Sequence, residues 1–156
     1  KYKIWVANGM APKEPMLLME EQGAWSPVAF SDDKTKLLIG KGVSVNESYL
    51  YVVDLKTKQR TQVNPSDKKI AYGGGAFTPD GKAIITISDE DSEFARLVRI
   101  DLATNAKTIL SGDIKWDVDS FDVSEDGRTI AYEINEAGAS KLKFMTAAGK
   151  ALPAPD

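Results

Sequence analysis

The sequence predicts an all-β chain of repeated four-stranded antiparallel units, and three observations predict it. The first is a turn phrase that recurs: Phe30-Ser31-Asp32-Asp33-Lys34, Phe77-Thr78-Pro79-Asp80-Gly81 and Val123-Ser124-Glu125-Asp126-Gly127. Asp33 to Asp80 is 47 positions and Asp80 to Asp126 is 46. The second is a strand phrase that recurs at the same step: Leu50-Tyr51-Val52-Val53-Asp54, Leu97-Val98-Arg99-Ile100-Asp101 and Leu142-Lys143-Phe144-Met145-Thr146, with Ile4-Trp5-Val6-Ala7-Asn8 ahead of them. The third is that these strands are apolar on both faces. Side chains alternate along a strand, so Leu50 and Val52 oppose Tyr51 and Val53, as Ile4 and Val6 oppose Trp5 and Ala7. A lone antiparallel sheet in water keeps one polar face, so two apolar faces imply a sheet packed between two others. Short strands at a period of about 40–50 residues are the signature of propeller blades. Arg99 and Lys143 break the apolar pattern and are expected near a rim.

In chain order, residues 1–24 read as the third and fourth strands of a blade. Met16-Leu17-Leu18-Met19-Glu20-Glu21-Gln22 is built of good helix formers. Its register, with Leu17 lying 46 before Val63 and Val63 lying 47 before Leu110, makes it a fourth strand instead. Residues 25–69 form a blade, and residues 70–111 form the clearest one. In the latter, Gly73-Gly74-Gly75 leads into a short first strand, Ala76-Phe77-Thr78, and Pro79-Asp80-Gly81 is a turn. Ala83 to Ser88 is a β-branched second strand. Arg96 to Asp101 and Lys107 to Leu110 are the third and fourth. Residues 112–156 read as an incomplete blade, with three strands over 116–150. The fold class is therefore a β-propeller fragment, about two whole blades flanked by two partial ones. Its open strand edges and apolar faces predict self-association. Lys34 stands where the other copies have Gly81 and Gly127, which weakens the expectation of one strict turn geometry.

Composition bounds the function. The 156 residues carry a net charge of −3 with no basic run, which argues against nucleic acid as a partner. No apolar run reaches the roughly 18 residues that span a bilayer, so no membrane association is expected. There is no cysteine, which fits either the cytoplasm or a bacterial periplasm. Lys1 opens the chain without a signal pattern, and the expectation is a piece of something longer.

Catalytic groups are missing. The chain has no histidine, and Gly42-Val43-Ser44-Val45-Asn46 ends in Asn where a nucleophile elbow needs Gly. Ser140 and Lys141 are adjacent on a strand and point to opposite faces. Asp89, Glu90, Asp91 and Glu93 supply oxygen ligands of the calcium kind but lack the turn glycine of a calcium loop, and read as a solvated hairpin tip. Asp117 and Asp119 share a face while Asp122 lies on the other, which favours capping roles over paired acid–base work. Gly73-Gly74-Gly75 has no Lys-Ser/Thr after it, so it reads as close backbone packing near the axis rather than a phosphate loop. Trp25, Tyr72 and Trp116 stand 47 and 44 apart and read as inter-blade core. No catalytic, cofactor or metal residue is assigned.

The third copy carries a family resemblance. Trp116-Asp117-Val118-Asp119-Ser120-Phe121-Asp122-Val123-Ser124-Glu125-Asp126-Gly127-Arg128-Thr129-Ile130-Ala131-Tyr132 runs on to Asn135-Glu136-Ala137-Gly138-Ala139-Ser140-Lys141-Leu142. It resembles the N-terminal propeller of bacterial prolyl oligopeptidase family serine peptidases, of the acylaminoacyl-peptidase and dipeptidyl-peptidase type. Leu152-Pro153-Ala154-Pro155 resembles that family's Leu-Pro segment. The rest matches the general propeller pattern shared with TolB-like propellers. The resemblance implies a non-catalytic propeller gating peptide access to a hydrolase domain absent from this chain, with that domain and peptide substrates as partners. The alternative is a TolB-like module that docks a protein partner.

Overall fold

The computed structural model describes residues 1–7, 9, 14–112 and 114–154. Asn8 of the first strand phrase and Pro155 of the Leu-Pro segment lie outside the described residues. Fourteen strands form four antiparallel sheets, and no helix occurs among the described residues. The first sheet pairs β1 (Tyr2–Val6) with β2 (Met16–Glu21). The second is β3 (Ala24–Phe30), β4 (Lys36–Ser44), β5 (Glu47–Asp54) and β6 (Arg60–Gln62). The third is β7 (Tyr72–Phe77), β8 (Ala83–Ser88), β9 (Arg96–Asp101) and β10 (Lys107–Ile109). The fourth is β11 (Val118–Val123), β12 (Thr129–Glu136), β13 (Ala139–Thr146) and β14 (Ala151–Leu152). Spatial order equals chain order in each sheet, which makes every one a meander.

Register outweighs helix propensity at Met16–Glu21, which is a strand. Two other expectations need correction. The first strand of the third sheet is longer than Ala76-Phe77-Thr78. It starts at Tyr72 and takes in Gly73, Gly74 and Gly75, while Thr78 belongs to the turn. The last sheet has four strands, not three, so three sheets are four-stranded. Its extra strand β14 lies just past residue 150 and pairs only Leu152 with Phe144 and Ala151 with Met145. Pro153 follows and offers no N–H to extend the ladder.

The core lies between successive sheets. Ile4, Leu18, Trp25, Leu37, Ile39 and Val53 fill the first seam. Leu38, Leu50 and Val63 meet Phe77, Ile84, Val98 and Ile100 in the second. Ile85, Ile87 and Leu97 meet Val118, Ile130, Tyr132, Ile134 and Met145 in the third. Leu50 and Val52 thus face the third sheet while Tyr51 and Val53 face the first. Each fully buried Leu or Ile side chain contributes about 1.5–3 kcal/mol. Among the described residues, one face of the first sheet is covered, and Trp5 on the other is 51% exposed. Arg99 and Lys143 do not lie at strand ends. Arg99 sits mid-strand opposite Ile85 and Thr108, half-buried, and Lys143 sits opposite Tyr132, exposed where β14 has stopped short.

One hydrogen-bond pattern builds all three first turns. The Ser31, Thr78 and Ser124 hydroxyls each donate to a carboxylate two residues on, at 2.7 Å to Asp33, Asp80 and Asp126. The same hydroxyls accept the amides of Lys36, Ala83 and Thr129 at 3.0, 3.1 and 3.0 Å. The carboxylates accept the amides of Thr35, Lys82 and Arg128, each at 3.0 Å. Lys34, Gly81 and Gly127 have φ of 59°, 68° and 70°. The turn is therefore strict in all three copies, and Lys34 adopts the left-handed conformation despite its Cβ. In the last hairpin turns of the second and third sheets, Asp54 and Asp101 each accept two backbone amides. The two turn sets are tied together by Leu55, Leu102 and Ala147 amides donating to the carbonyls of Thr35, Lys82 and Arg128, each at 2.9 Å.

Two expectations follow from the turns. Gly81 faces open space, so Gly81→Ala should cost about 1 kcal/mol for left-handed strain alone. A Cβ on Gly127 would overlap the Pro79 ring of the neighbouring sheet, so Gly127→Ala should cost clearly more, with Pro79→Ala recovering the excess. Lys34→Gly should be neutral or stabilising by less than about 1 kcal/mol, relief of strain being offset by glycine's unfolded-state entropy. Urea denaturation of the four variants checks the order, and equal losses at Gly81 and Gly127 would contradict the Pro79 contact.

The second expectation is acid sensitivity. The Thr35 amide and then the Ser31 hydroxyl hold Asp33 down from 3.8 to about 2. Asp80 and Asp126 are lowered chiefly by the Thr78 and Ser124 hydroxyls, and Asp54 and Asp101 by the Thr57 and Thr104 amides. A lowered carboxylate stabilises the fold above its unfolded value and loses that contribution as pH falls through its folded value. Melting temperature should therefore hold down to about pH 3.8 and fall towards about pH 2. Asp33→Asn should flatten part of that fall, as measured by thermal unfolding across the range.

Candidate functional site

The first strands β3, β7 and β11 lie side by side and form one wall of the molecule. Each is interrupted by a bulge, between Pro27 and Ala29, Gly73 and Ala76, and Val118 and Ser120. A bulge re-aims the side chains that follow it. Between β7 and β11 the wall opens into a groove floored by Gly73–Gly75 and flanked by Asp119, Phe121 and Asp122. Gly75 is required by close approach, since a Cβ there would overlap Leu38 of the second sheet and come within 3.1 Å of Val28. Gly74 has φ of 63° beneath Phe121, and its carbonyl accepts the Thr86 hydroxyl at 2.7 Å. The glycines pack closely across the seam, as their lack of phosphate-loop context implies.

The three aspartates are sorted differently from the simple alternation. Asp117 accepts the Ala95 amide at 2.7 Å, a structural tie to the third sheet. The bulge after Val118 breaks the period, so Asp119 joins Asp122 in the groove instead of opposing it. Asp122 accepts its neighbour Val123's amide at 2.9 Å, and Asp119 is exposed. The groove offers two carboxylates, Ser120, an aromatic edge and glycine backbone, a set that suits hydrogen bonding to a ligand.

The acidic segment is not a solvated tip throughout. Glu90 is drawn inward, where its carboxylate accepts from Lys107 Nζ at 2.8 Å and from Asn64 Nδ2 at 2.9 Å. Asn64 also donates to the Tyr72 hydroxyl at 2.9 Å and, through its amide, to Asn105 at 2.8 Å. Burial, ahead of the nearby acidic charges, raises the Tyr72 hydroxyl's pKa above its ordinary value. Asp89 accepts the Ala71 amide at 2.8 Å, and Asp91 pairs with Lys68 at 2.6 Å. Asp89, Glu90 and Asp91 face separate partners, and no group of three or more His, Cys, Asp or Glu is placed to hold a metal among the described residues. Asn64, Asn105 and Lys107 were not singled out by sequence. Their one local signal is asparagine in turns, where Asn64 and Asn105 take φ of 47° and 59°.

Trp25 is 6% exposed, with the Arg60 guanidinium 4.9 Å from its ring, and Tyr72 packs beside the second seam. Trp116 departs from the expectation: it is 38% exposed and precedes β11. Trp25 and Tyr72 each lie six residues before the turn Ser or Thr, and the residue six before Ser124 is Val118, which is 3% exposed. Val118 is the true counterpart. Ser44 closes the β4–β5 hairpin opposite Glu47 and not a strand-to-helix elbow, and Lys141 pairs with Glu136 at 2.9 Å.

No family model matches the chain, and no curated protein matches it. Solved structures do. TolB from Acinetobacter baumannii superimposes with a TM-score of 0.70 at 23% identity, over 85% of this chain and 32% of that one. A structure from work on two prolyl endopeptidases gives 0.74 at 16% identity, over 93% of this chain and 22% of that one. Oligopeptidase B from Trypanosoma brucei gives 0.69 at 18% identity, over 99% and 24%. The chain thus spans between about a fifth and a third of the length of these proteins. Its fold is that of the propeller domains of TolB and the prolyl oligopeptidases.

The Glu90–Lys107 pair is the most buried ion pair among those of the described residues, with side chains 11% and 20% exposed. A double-mutant cycle of Glu90→Ala and Lys107→Met should give a coupling of about 1–2 kcal/mol, above the usual value for surface pairs. The exposed Lys68–Asp91 pair should give under about 1 kcal/mol by the same measurement.

Proposed function

We propose that this chain is the non-catalytic propeller of a prolyl oligopeptidase-like serine peptidase, controlling which peptides reach a hydrolase domain lying outside these residues. The observation that carries the reading is the TM-score of 0.74 with a prolyl endopeptidase over 93% of this chain, joined to the motif resemblance from Trp116 to Leu142. The chemistry is compatible with it. The groove between β7 and β11 is lined by two carboxylates, Ser120 and glycine backbone, a set that supports binding of a peptide, and the chain has no histidine to activate a hydroxyl. A second reading is a TolB-like protein-binding module, supported by the 23% identity with TolB over 85% of the chain.

Serine-directed fluorophosphonates test the proposal. The purified chain should take up no adduct by intact-protein mass spectrometry, whereas the product of its whole reading frame should be labelled at one serine. An adduct on the purified chain would overturn the non-catalytic assignment. An unlabelled full product with no hydrolase sequence would leave the TolB-like reading in its place.

A further inference from the structure

The second seam opens at its rim into a cavity of about 270 Å³, between β5, β6 and the last turn of the third sheet. Its floor is apolar: Val63 is buried, and Val52 and Leu102 are half-buried beside it. Lys36 and Asp54 stand over that floor. They are partners in the β4–β5 register, so both side chains take the face that Leu38 and Val52 turn to the third sheet. Opposite charges placed in this way usually attract one another into a pair. Lys36 is nevertheless in no ion pair among the described residues. Asp54 accepts the Lys56 and Thr57 amides at 2.9 Å, both on Oδ1, so Oδ2 takes neither. The Thr57 amide first and then the Lys56 amide hold its pKa below the ordinary value, which keeps it charged at neutral pH.

The next repeat shows what such a space admits. At the 47-residue step, Ala83 replaces Lys36, Arg99 replaces Val52, and Asp101 keeps the place of Asp54. Arg99 lies opposite Thr108 as Val52 lies opposite Thr61. Its charge acts on Asp101, whose pKa is lowered chiefly by the Thr104 amide. There the protein's own arginine carries a cation to the turn carboxylate on an alkyl stem. In the second sheet valine is too short to do so, and the cation stands on the opposite strand.

We propose that this cavity is a binding site for a small apolar α-amino acid. Its carboxylate meets the Lys36 ammonium, its ammonium meets Asp54 Oδ2, and its side chain lies on Val52, Val63 and Leu102. Two features select this class. Neighbouring strands lie about 4.8 Å apart, a spacing that suits two charges on a single carbon rather than the two ends of a peptide. The cavity is smaller than the roughly 300–1,000 Å³ of ordinary ligand pockets, which favours a short aliphatic side chain. Asn105 already accepts the Asn64 amide on Oδ1, which leaves its Nδ2 as a further donor to the carboxylate. The cavity shares no lining residue with the groove between β7 and β11, and its occupant does not depend on what that groove binds.

L-Leucine is the probe. Titrated into the isotope-labelled chain, it should shift the amide resonances of Val52, Thr61, Val63 and Leu102 saturably in the millimolar range. N-acetylleucine lacks the ammonium and leucinamide lacks the carboxylate, so each should bind at least about tenfold more weakly for the loss of one charge-assisted bond. Lys36→Met should weaken leucine by a similar factor and leave leucinamide unchanged. Lys36→Ala combined with Val52→Arg reproduces the Ala83 and Arg99 of the third sheet and should abolish binding. Absence of leucine shifts at these residues in the millimolar range would overturn the proposal. Equal binding of the three probes would overturn it too, as would undiminished leucine binding by Lys36→Met, a change at a half-buried rim side chain that the fold accommodates.

Discussion

Everything in this molecule rests on sheets that bury both faces. Leu38 and Ile39 are adjacent in β4, point to opposite sides, and are each 0% exposed. Ile84 and Ile85 do the same in β8, at 0% and 1%. Such a strand has no solvent side, so its sheet is stable only as the middle layer of a stack. The stack in turn sets the local chemistry. Gly75 is glycine because Leu38 of the neighbouring sheet occupies the space of its Cβ, and Gly127 is glycine because Pro79 does. Glycines that pack across a seam and glycines that only turn the chain, such as Gly81, look alike in sequence and differ in what they hold together.

The turns supply the precision that apolar stacking lacks. Burial is non-directional, and two faces of Val, Ile and Leu tolerate sliding. The hydroxyl–carboxylate–amide pattern at Ser31, Thr78 and Ser124 fixes where each hairpin reverses, and the Leu55, Leu102 and Ala147 amides fix the second turn to the first. Each sheet therefore arrives at the seam with its register already set. The network of Asn64, Tyr72, Glu90, Asn105 and Lys107 adds a directional contact between the second and third sheets, where residues far apart in sequence satisfy one another.

The wall built from β3, β7 and β11 carries the groove on which the proposed function draws. Bulges interrupt all three strands, and at β11 the bulge brings Asp119 beside Asp122 and Phe121. The same irregularity that spoils the strand's alternation creates the polar lining. A scaffold of this kind hosts many activities, and the site alone distinguishes them. Carboxylates, Ser120 and glycine backbone fit recognition by hydrogen bonding, which is the common ground of the peptidase-gating and protein-binding readings.

The all-β repeat, its 46–47 residue step, the strand at Met16–Glu21 and the turns at Gly81 and Gly127 are legible in the residues themselves. These depend on contacts within a few residues, such as the five-residue reach from Ser31 to Lys36, and on the alternation of apolar side chains. Packing between sheets decided that Asp119 lines the groove and that Glu90 leaves its acidic neighbours for Lys107 and Asn64. The tertiary structure also decided that the last sheet has a two-residue fourth strand. The physical reason is the same in each case. A bulge or a buried ion pair is set by the volume and charge of residues on a neighbouring strand or sheet, and no local pattern of residues encodes what the neighbour will demand.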